Sequence, residues 1–301
     1  MNKVCAVIVT FNRKELLMRN INSLLKQTYP VDILIYDNAS TDGTFHYLQE
    51  NKIIEKTNVK YYLAESNTGG SGGFCYGAQI AVKKGYDYIW LMDDDGYCID
   101  EFTLEKLMSH ADGQRVIWSS YVTHDLDSKE ATFPLLGRQN RNELEALADE
   151  KQLIGTGSPY NGTLIPRHCF EEVGYNDARY FVYGDENEFF MRTKQAGYDW
   201  ITIMDSFYYH PINRNVLWEF HIGKYGLDCK NQPVWKFYLE MRNREYNYIK
   251  FNKKRRFSSY VKAIIIALFS KDKRIARIKY GVMGIKDARK DNFDRPIMFN
   301  V

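Results

Sequence analysis

Four strand-like runs, each leading into a polar cluster and the first three followed by a helical pattern, constrain this chain more than any other feature. The first, Lys3 to Thr10, carries no charge from Val4 to Val9 and reads as a strand buried on both faces. Asn12 and Arg13 follow. Leu16, Leu17, Ile21, Leu24 and Leu25 then recur along one side of a helix that reaches about Lys26. Val31 to Tyr36 is the second strand, ending at Asp37, and Thr41-Asp42-Gly43 leads into a short helix, Phe45 to Gln49. Val59 to Leu63 is the third, ending near Asn67. Beyond the glycine stretch Asn67-Thr-Gly-Gly-Ser-Gly-Gly-Phe74, residues Phe74 to Lys84 read as a helix stopped by Gly85. Tyr88 to Met92 is the fourth strand and runs into Asp93-Asp94-Asp95.

This alternation with short connections predicts an α/β fold with a mostly parallel central sheet and helices on both faces. Such sheets bind ligands beyond the carboxyl ends of their strands. Thr10 and Asn12, Asp37, Asn67 to Gly73, and Asp93 to Asp95 all sit there. After Asp100 the alternation loosens. Ser119 to Leu136 holds strand-like runs, Gln139 to Leu153 reads as a polar loop or helix, and Ser158 to Ile165 as a strand. Gly184 to Gly197 is a helix with acids at its start, basic residues later and glycine at its stop. Trp200 to Met204 is a strand leading to Asp205 and His210. From Val216 to Arg289 the pattern is largely helical, which divides the chain into a sheet domain, 1–212, and a helical region, 213–301.

Composition removes several classes. With 45% hydrophobic and 15% aromatic residues in 301, disorder is not the main state. Twenty glycines and seven prolines without a period exclude collagen-like structure. The longest aliphatic run, Ala263 to Phe269, falls far short of the roughly 20 residues a spanning helix needs. The N-terminal residues lack the pattern of a secretory signal. Five scattered cysteines with no Cys-x-x-Cys pair indicate neither a disulfide framework nor a zinc site, and a reducing cytosol is expected. Net charge is +3, but Phe251 to Val301 holds 14 basic and 4 acidic residues and is strongly cationic, whereas the rest is net acidic. An anionic partner is expected for that tail.

Each candidate site has a plainer alternative. Three consecutive aspartates repel one another unless a cation or strong donors compensate. In an extended segment Asp93 and Asp95 point the same way and Asp94 the other, so an oxygen-ligated Mg²⁺ or Mn²⁺ suits them; the alternative is a solvated acidic turn. The glycine stretch either lets backbone N–H groups approach an anion or is a tight turn, and it matches neither GxGxxG nor a P-loop. Asp37 either accepts a base N–H or caps the run that follows. Asp185 and Glu186 either cap a helix or supply a general base, while Glu188 and Arg192 are spaced to pair. His210 is either a neutral metal ligand or a buried histidine.

Taken in order, VIVTFNR, YDNASTDGT, NTGGSGGF, WLMDDDG, NGTLIP, GDENEFFMR and YYHP resemble the inverting family 2 glycosyltransferases of GT-A fold, most like bacterial galactofuranosyl- and rhamnosyltransferases. The resemblance spans Val4 to Pro211 and continues more loosely in KFYLEMRNREY. It implies a nucleotide diphosphate sugar donor, UDP- or dTDP-linked, and a Mn²⁺ or Mg²⁺ ion. By motif it implies Thr10, Asn12 and Arg13 at the nucleotide, Asp37 at the base, and Asn67, Gly69, Gly70 and Asp94 beside the diphosphate or sugar. It also implies Asp93 near ribose and metal, Asp95 and His210 as metal ligands, and Glu186 as base. The family pattern Trp-Asp-Asp-x-Glu stands here as Gly184-Asp185-Glu186-Asn187-Glu188, which keeps Asp185 as the second candidate.

Expected, then, is a single displacement at the anomeric carbon without a nucleophilic Ser or Cys. The acceptor is a hydroxyl on a growing, lipid-linked glycan. Lys253-Lys-Arg-Arg256 beside Ala263 to Phe269 suits either peripheral attachment to an anionic leaflet or an amphipathic core helix. Nucleic acid is not expected, because aromatics do not interleave regularly with the basic residues. Self-association is left open, as are a nucleotidyltransferase and a non-catalytic sugar-nucleotide-binding subunit.

Overall fold

The structure, a computed structural model, describes residues 2–124, 129–212, 216–222 and 225–295. The chain forms two compact units: Met1–Ala178 with Phe189–Ile212, and Arg179–Glu188 with Asn213–Val301.

The first unit opens with β1 (Val4–Thr10), α1 (Lys14–Leu24), β2 (Val31–Asp37), α2 (Thr44–Glu50), β3 (Val59–Leu63), α3 (Gly69–Lys83) and β4 (Tyr88–Asp93). It continues through β5 (Tyr97–Cys98), α4 (Thr103–Met108), β6 (Val116–Thr123), β7 (Glu130–Leu135), β8 (Arg138–Asn140), α5 (Arg141–Glu145) and β9 (Gln152–Ile154). Then come β10 (Asn161–Pro166), α6 (Arg167–Val173), α7 (Asp185–Gln195), whose first turn belongs to the other unit, and β11 (Asp199–Tyr209). The main sheet runs β3-β2-β1-β4-β10-β6-β11-β5. Strands β3, β2, β1 and β4 pair in parallel, and β11 is parallel to β6; β10 lies antiparallel between β4 and β6.

Both faces of β1 are covered, as its uninterrupted apolar run requires. Val4, Ala6 and Ile8 pack in one core cluster with Leu17, Ile21 and Leu24 of α1. Cys5, Val7 and Val9 face the other way, against Phe74, Ala78 and Ala81 of α3.

Two sequence expectations are corrected. The helix after the glycine stretch begins at Gly69, not Phe74. Two of its glycines are there because α3 presses on β1: a Cβ on Gly73 would stand 2.3 Å from Val9 Cγ1, and one on Gly77 2.6 Å from Val7 Cγ1. The span from Val216, expected to be helical, starts instead with an antiparallel hairpin, β12 (Val216–Ile222) and β13 (Tyr225–Lys230). Alternation of apolar and polar residues in Trp218-Glu-Phe-His-Ile222 is the period-2 signal that a helical reading misses. Within the expected strand and tail regions, residues 125–128 and 296–301 lie outside the described residues.

The second unit continues with α8 (Val234–Asn252), α9 (Ser258–Leu268) and α10 (Arg274–Ala288). Phe237, Met241, Ala263, Ile266, Ala267 and Ile285 form its apolar core. Helices α8 and α10 approach closely, since a Cβ on Gly284 would lie 2.5 Å from the Tyr238 carbonyl.

Candidate active site at the strand ends

Strand pairing assembles the acidic cluster. Asp93 ends β4, and the chain turns through Asp94, Asp95 and Gly96 into β5. There Tyr97 pairs with Tyr209 and Cys98 with Tyr208 of β11. This pairing brings Asp95, just before β5, next to His210, just after β11. Gly96 is required at the turn: a Cβ there would meet the Tyr208 ring at 2.3 Å. Asp93, Asp95 and His210 each offer a ligand atom, all within 4.8 Å of one another, the only such group of three among the described residues.

The three carboxylates have different surroundings, as alternation in an extended segment dictates. Asp94 is buried; it accepts from the Thr10 hydroxyl at 2.8 Å and from Arg13 Nη1 at 3.1 Å. Burial pushes its carboxyl up to about 6, against the opposing pull of Arg13 and Thr10. Asp95 Oδ2 accepts from the same Arg13 nitrogen at 2.9 Å. Asp95 Oδ1 is buried without a hydrogen-bond donor and lies 3.4 Å from His210 Nε2.

His210 explains what that contact requires. Its Nδ1 is 2.8 Å from the Pro211 carbonyl, which only accepts, so Nδ1 carries the proton. Burial depresses the imidazole below its ordinary value, against the pull of Asp95, and keeps the ring neutral. Nε2 therefore presents a lone pair to a carboxylate oxygen that has no donor of its own. A cation between them resolves both needs, and a hard, oxygen-rich site with one imidazole suits Mn²⁺ or Mg²⁺.

The other expected residues take varied places. Asn12, in the left-handed region at φ 54, accepts the Thr41 backbone N–H at 2.7 Å on its side-chain oxygen. Asp37 is fully buried and accepts from the Ser40 N–H at 2.7 Å and from the Tyr61 hydroxyl, so it serves as a cap of its own loop. Asn67 accepts the Gly69 N–H at 2.8 Å and closes the turn into α3. A Cβ on Gly70 would meet nothing within 4 Å, so no protein neighbour demands glycine there.

Two residues that sequence reasoning missed hold this site together. Asn20, fully buried on the apolar side of α1, donates to the Asp93 carbonyl at 2.8 Å. Asn38, beside Asp37, donates to the Gly69 carbonyl at 2.9 Å and accepts the Thr68 hydroxyl at 2.9 Å, joining the end of β2 to α3. The signal for Asn20 was present: an amide among Leu17, Ile21 and Leu24 is a polar group at a core position.

Asp185 and Glu186 belong to the second unit. Asp185 is buried, whereas Glu186 is partly exposed and accepts the Gly184 N–H at 3.0 Å. Glu188 is fully buried and pairs with Lys250 at 2.7 Å. Arg192 donates to the Val173 and Tyr175 carbonyls.

A sheet of this order, with acidic residues and a histidine gathered beyond its parallel strands, is the frame of a GT-A glycosyltransferase. The chain belongs to glycosyl transferase family 2, whose family model matches residues 5–174, and is therefore a glycosyltransferase. It is 30% identical over 250 residues to the galactofuranosyltransferase GlfT1 of Mycobacterium tuberculosis, covering 81% of each chain. It is 22% identical over 199 residues to the dTDP-rhamnosyl transferase RfbF of Shigella flexneri, covering 65% of this chain and 64% of that one. The mannosyltransferase PcManGT of Pyrobaculum calidifontis, solved with GDP-Man and Mn²⁺, shares its fold. The TM-score is 0.55 and the identity 12%, over 96% of this chain and 75% of that one.

Proposed function

We propose that this enzyme transfers galactofuranose or rhamnose, with inversion, from a UDP- or dTDP-linked donor to a hydroxyl of a growing, lipid-linked, cell-surface glycan. The observation that carries the reading is the meeting of Asp93, Asp95 and a neutral His210 around an unsatisfied Asp95 oxygen. Identity to galactofuranosyl- and dTDP-rhamnosyl transferases supports the two sugars. A divalent ion held by Asp93, Asp95 and His210 would stabilise the charge that develops on the departing diphosphate. Arg13, bonded to Asp94 and Asp95 through one nitrogen, keeps its remaining donors for the nucleotide. Asn12, Asn67, Gly69 and Gly70 border the same nucleotide, while Thr10, Asp37 and Asp94 fix the loops that receive it. Glu186 takes the proton of the attacking hydroxyl, and Asp185 is the neighbouring candidate.

The catalytic domain is 1–212, and 213–301 serves the acceptor side. No helix among the described residues is long and apolar enough to cross a membrane. On and beside α9, however, Phe257, Val261, Ile264, Leu268 and Phe269 are exposed, and Phe257 and Phe269 are 78% and 68% exposed. Exposed Lys253, Lys254, Lys271, Lys273 and Arg274 flank them. An apolar stripe rimmed by cations fits an anionic lipid surface, each charge contributing about 1 kcal/mol.

Incubation with a panel of nucleotide sugars and Mn²⁺, reading melting point and released nucleoside diphosphate, tests the reading. One UDP- or dTDP-sugar should raise the melting point and be turned over when acceptor is present. Binding without release of diphosphate under any acceptor would reject it.

A further inference from the structure

The run Met241-Arg-Asn-Arg-Glu-Tyr-Asn247 of α8 has no part in the chemistry described so far, yet three of its side chains hydrogen-bond to one loop of the second unit. Arg242 and Asn243 are fully buried. Arg242 Nη2 donates to the Arg179 carbonyl at 3.0 Å and the Tyr180 carbonyl at 3.1 Å. Arg242 Nε donates to Asn243 Oδ1 at 2.9 Å, which turns the amide nitrogen of Asn243 the other way. That nitrogen lies within 3.1, 3.0 and 2.8 Å of the Tyr180, Val182 and Tyr183 carbonyls. Asn247 donates to the Gly184 carbonyl at 2.7 Å and accepts the Tyr180 hydroxyl.

Five backbone carbonyls between Arg179 and Gly184 are thus held by three side chains, Arg242 and Asn243 and, one helical turn on, Asn247. The held loop is strained at Phe181 and Tyr183, with φ of 66° and 68°, while Gly184 takes its φ of 86° at no such cost. Burying the Arg242 guanidinium against backbone carbonyls and an amide oxygen is costly in desolvation. What the loop delivers is Glu186. Gly184 is gripped from both sides, its carbonyl by Asn247 and its N–H by the Glu186 carboxylate at 3.0 Å.

We infer that Arg242, Asn243 and Asn247 are positioning residues that set the Glu186 carboxylate through the Gly184 peptide. The inference rests on the reading of Glu186 as general base. Loss of an Asn247 donor lets the Gly184 peptide rotate and moves the carboxylate without touching nucleotide or metal ligands.

The test compares Asn247→Ala, Gly184→Ala, Glu186→Gln and the double variant Asn247→Ala/Glu186→Gln. The donor is UDP-galactofuranose or dTDP-rhamnose, whichever the wild-type enzyme turns over. Asn247→Ala should lower kcat roughly 10–100-fold while leaving donor KM and the calorimetric Kd for UDP or dTDP with Mn²⁺ within about twofold. The acid limb of its kcat–pH profile should shift, and the double variant should be no slower than Glu186→Gln alone. Gly184→Ala should behave alike, since its Cβ would sit 3.3 Å from Asn243 Cβ at a left-handed φ. Unchanged kcat in Asn247→Ala, a weakened nucleotide Kd, or losses that multiply in the double variant would overturn the inference. Wild-type turnover in Glu186→Gln is a separate outcome and removes the base assignment itself. Arg242→Lys, which keeps the charge with fewer donors, should fall between wild type and Asn247→Ala in kcat; equality with wild type counts against the cradle.

Discussion

At the scale of single residues, one proton decides how the strand-end cluster behaves. Because the Pro211 carbonyl holds the proton on His210 Nδ1, the opposite nitrogen faces Asp95 bare, and a cation is the natural third party. Asp95→Asn removes half of that pairing and should abolish the Mn²⁺-dependent rise in melting point on adding UDP or dTDP. A rise equal to wild type would assign the ion elsewhere. Glu186→Gln should cut turnover by about 10²–10⁴-fold with nucleotide affinity retained, measured by steady-state kinetics beside calorimetry. The cluster of Asp93, Asp95 and His210 was legible in the sequence because charged and titratable groups just beyond strand ends are conspicuous. Asn20 and Asn38 were not, since an amide announces nothing until the carbonyl it serves is known; the Asp93 and Gly69 carbonyls come to them only through packing. Thr10 and Asp94 show the same limit: their mutual hydrogen bond joins β1 to the end of β4, a pairing that parallel sheet order alone makes adjacent.

At the scale of elements, the glycines of α3 have two different jobs. Gly73→Ala should overpack against Val9 and cost about 1–3 kcal/mol, visible as a lower melting temperature. Gly70→Ala meets open space in the protein, so stability should hold while donor affinity falls if the diphosphate lies over it. Equal loss of stability in both variants would contradict this division. The parallel half of the sheet was readable because β1 and β4 are apolar runs buried along their length, and β2 is one broken only at Asp32 before its terminal Asp37. The start of α3 was misread because glycine signals a loop by propensity, and the close approach to β1 overrides propensity. The β12–β13 hairpin was misread because a basic, helix-rich neighbourhood masked a short alternating run.

At the scale of the whole molecule, the second unit carries its own acid sensitivity. Burial alone would raise the Asp287 carboxyl, but Arg295, the Tyr238 hydroxyl and Asn292 outweigh it and hold it below the ordinary carboxylate range. A depressed folded-state value means stabilisation that is full above the unfolded value of about 3.9 and lost as pH falls through the folded one. Melting temperature should therefore drop on acidification below about pH 4, and Asp287→Asn should flatten part of that slope. The basic tail adds a surface prediction: the protein should float with vesicles containing anionic lipid and lose flotation when Phe257 and Phe269 become Ser. Equal flotation on neutral vesicles would argue against charge as the cause. Central to the proposed function is a site for a divalent ion formed by Asp93, Asp95 and His210, and a crystal grown with Mn²⁺ and UDP or dTDP tests that proposal directly. The account predicts an anomalous manganese peak within ligand reach of Asp93, Asp95 and His210 Nε2. A nucleotide bound with the peak elsewhere, or with no peak at all, would contradict it.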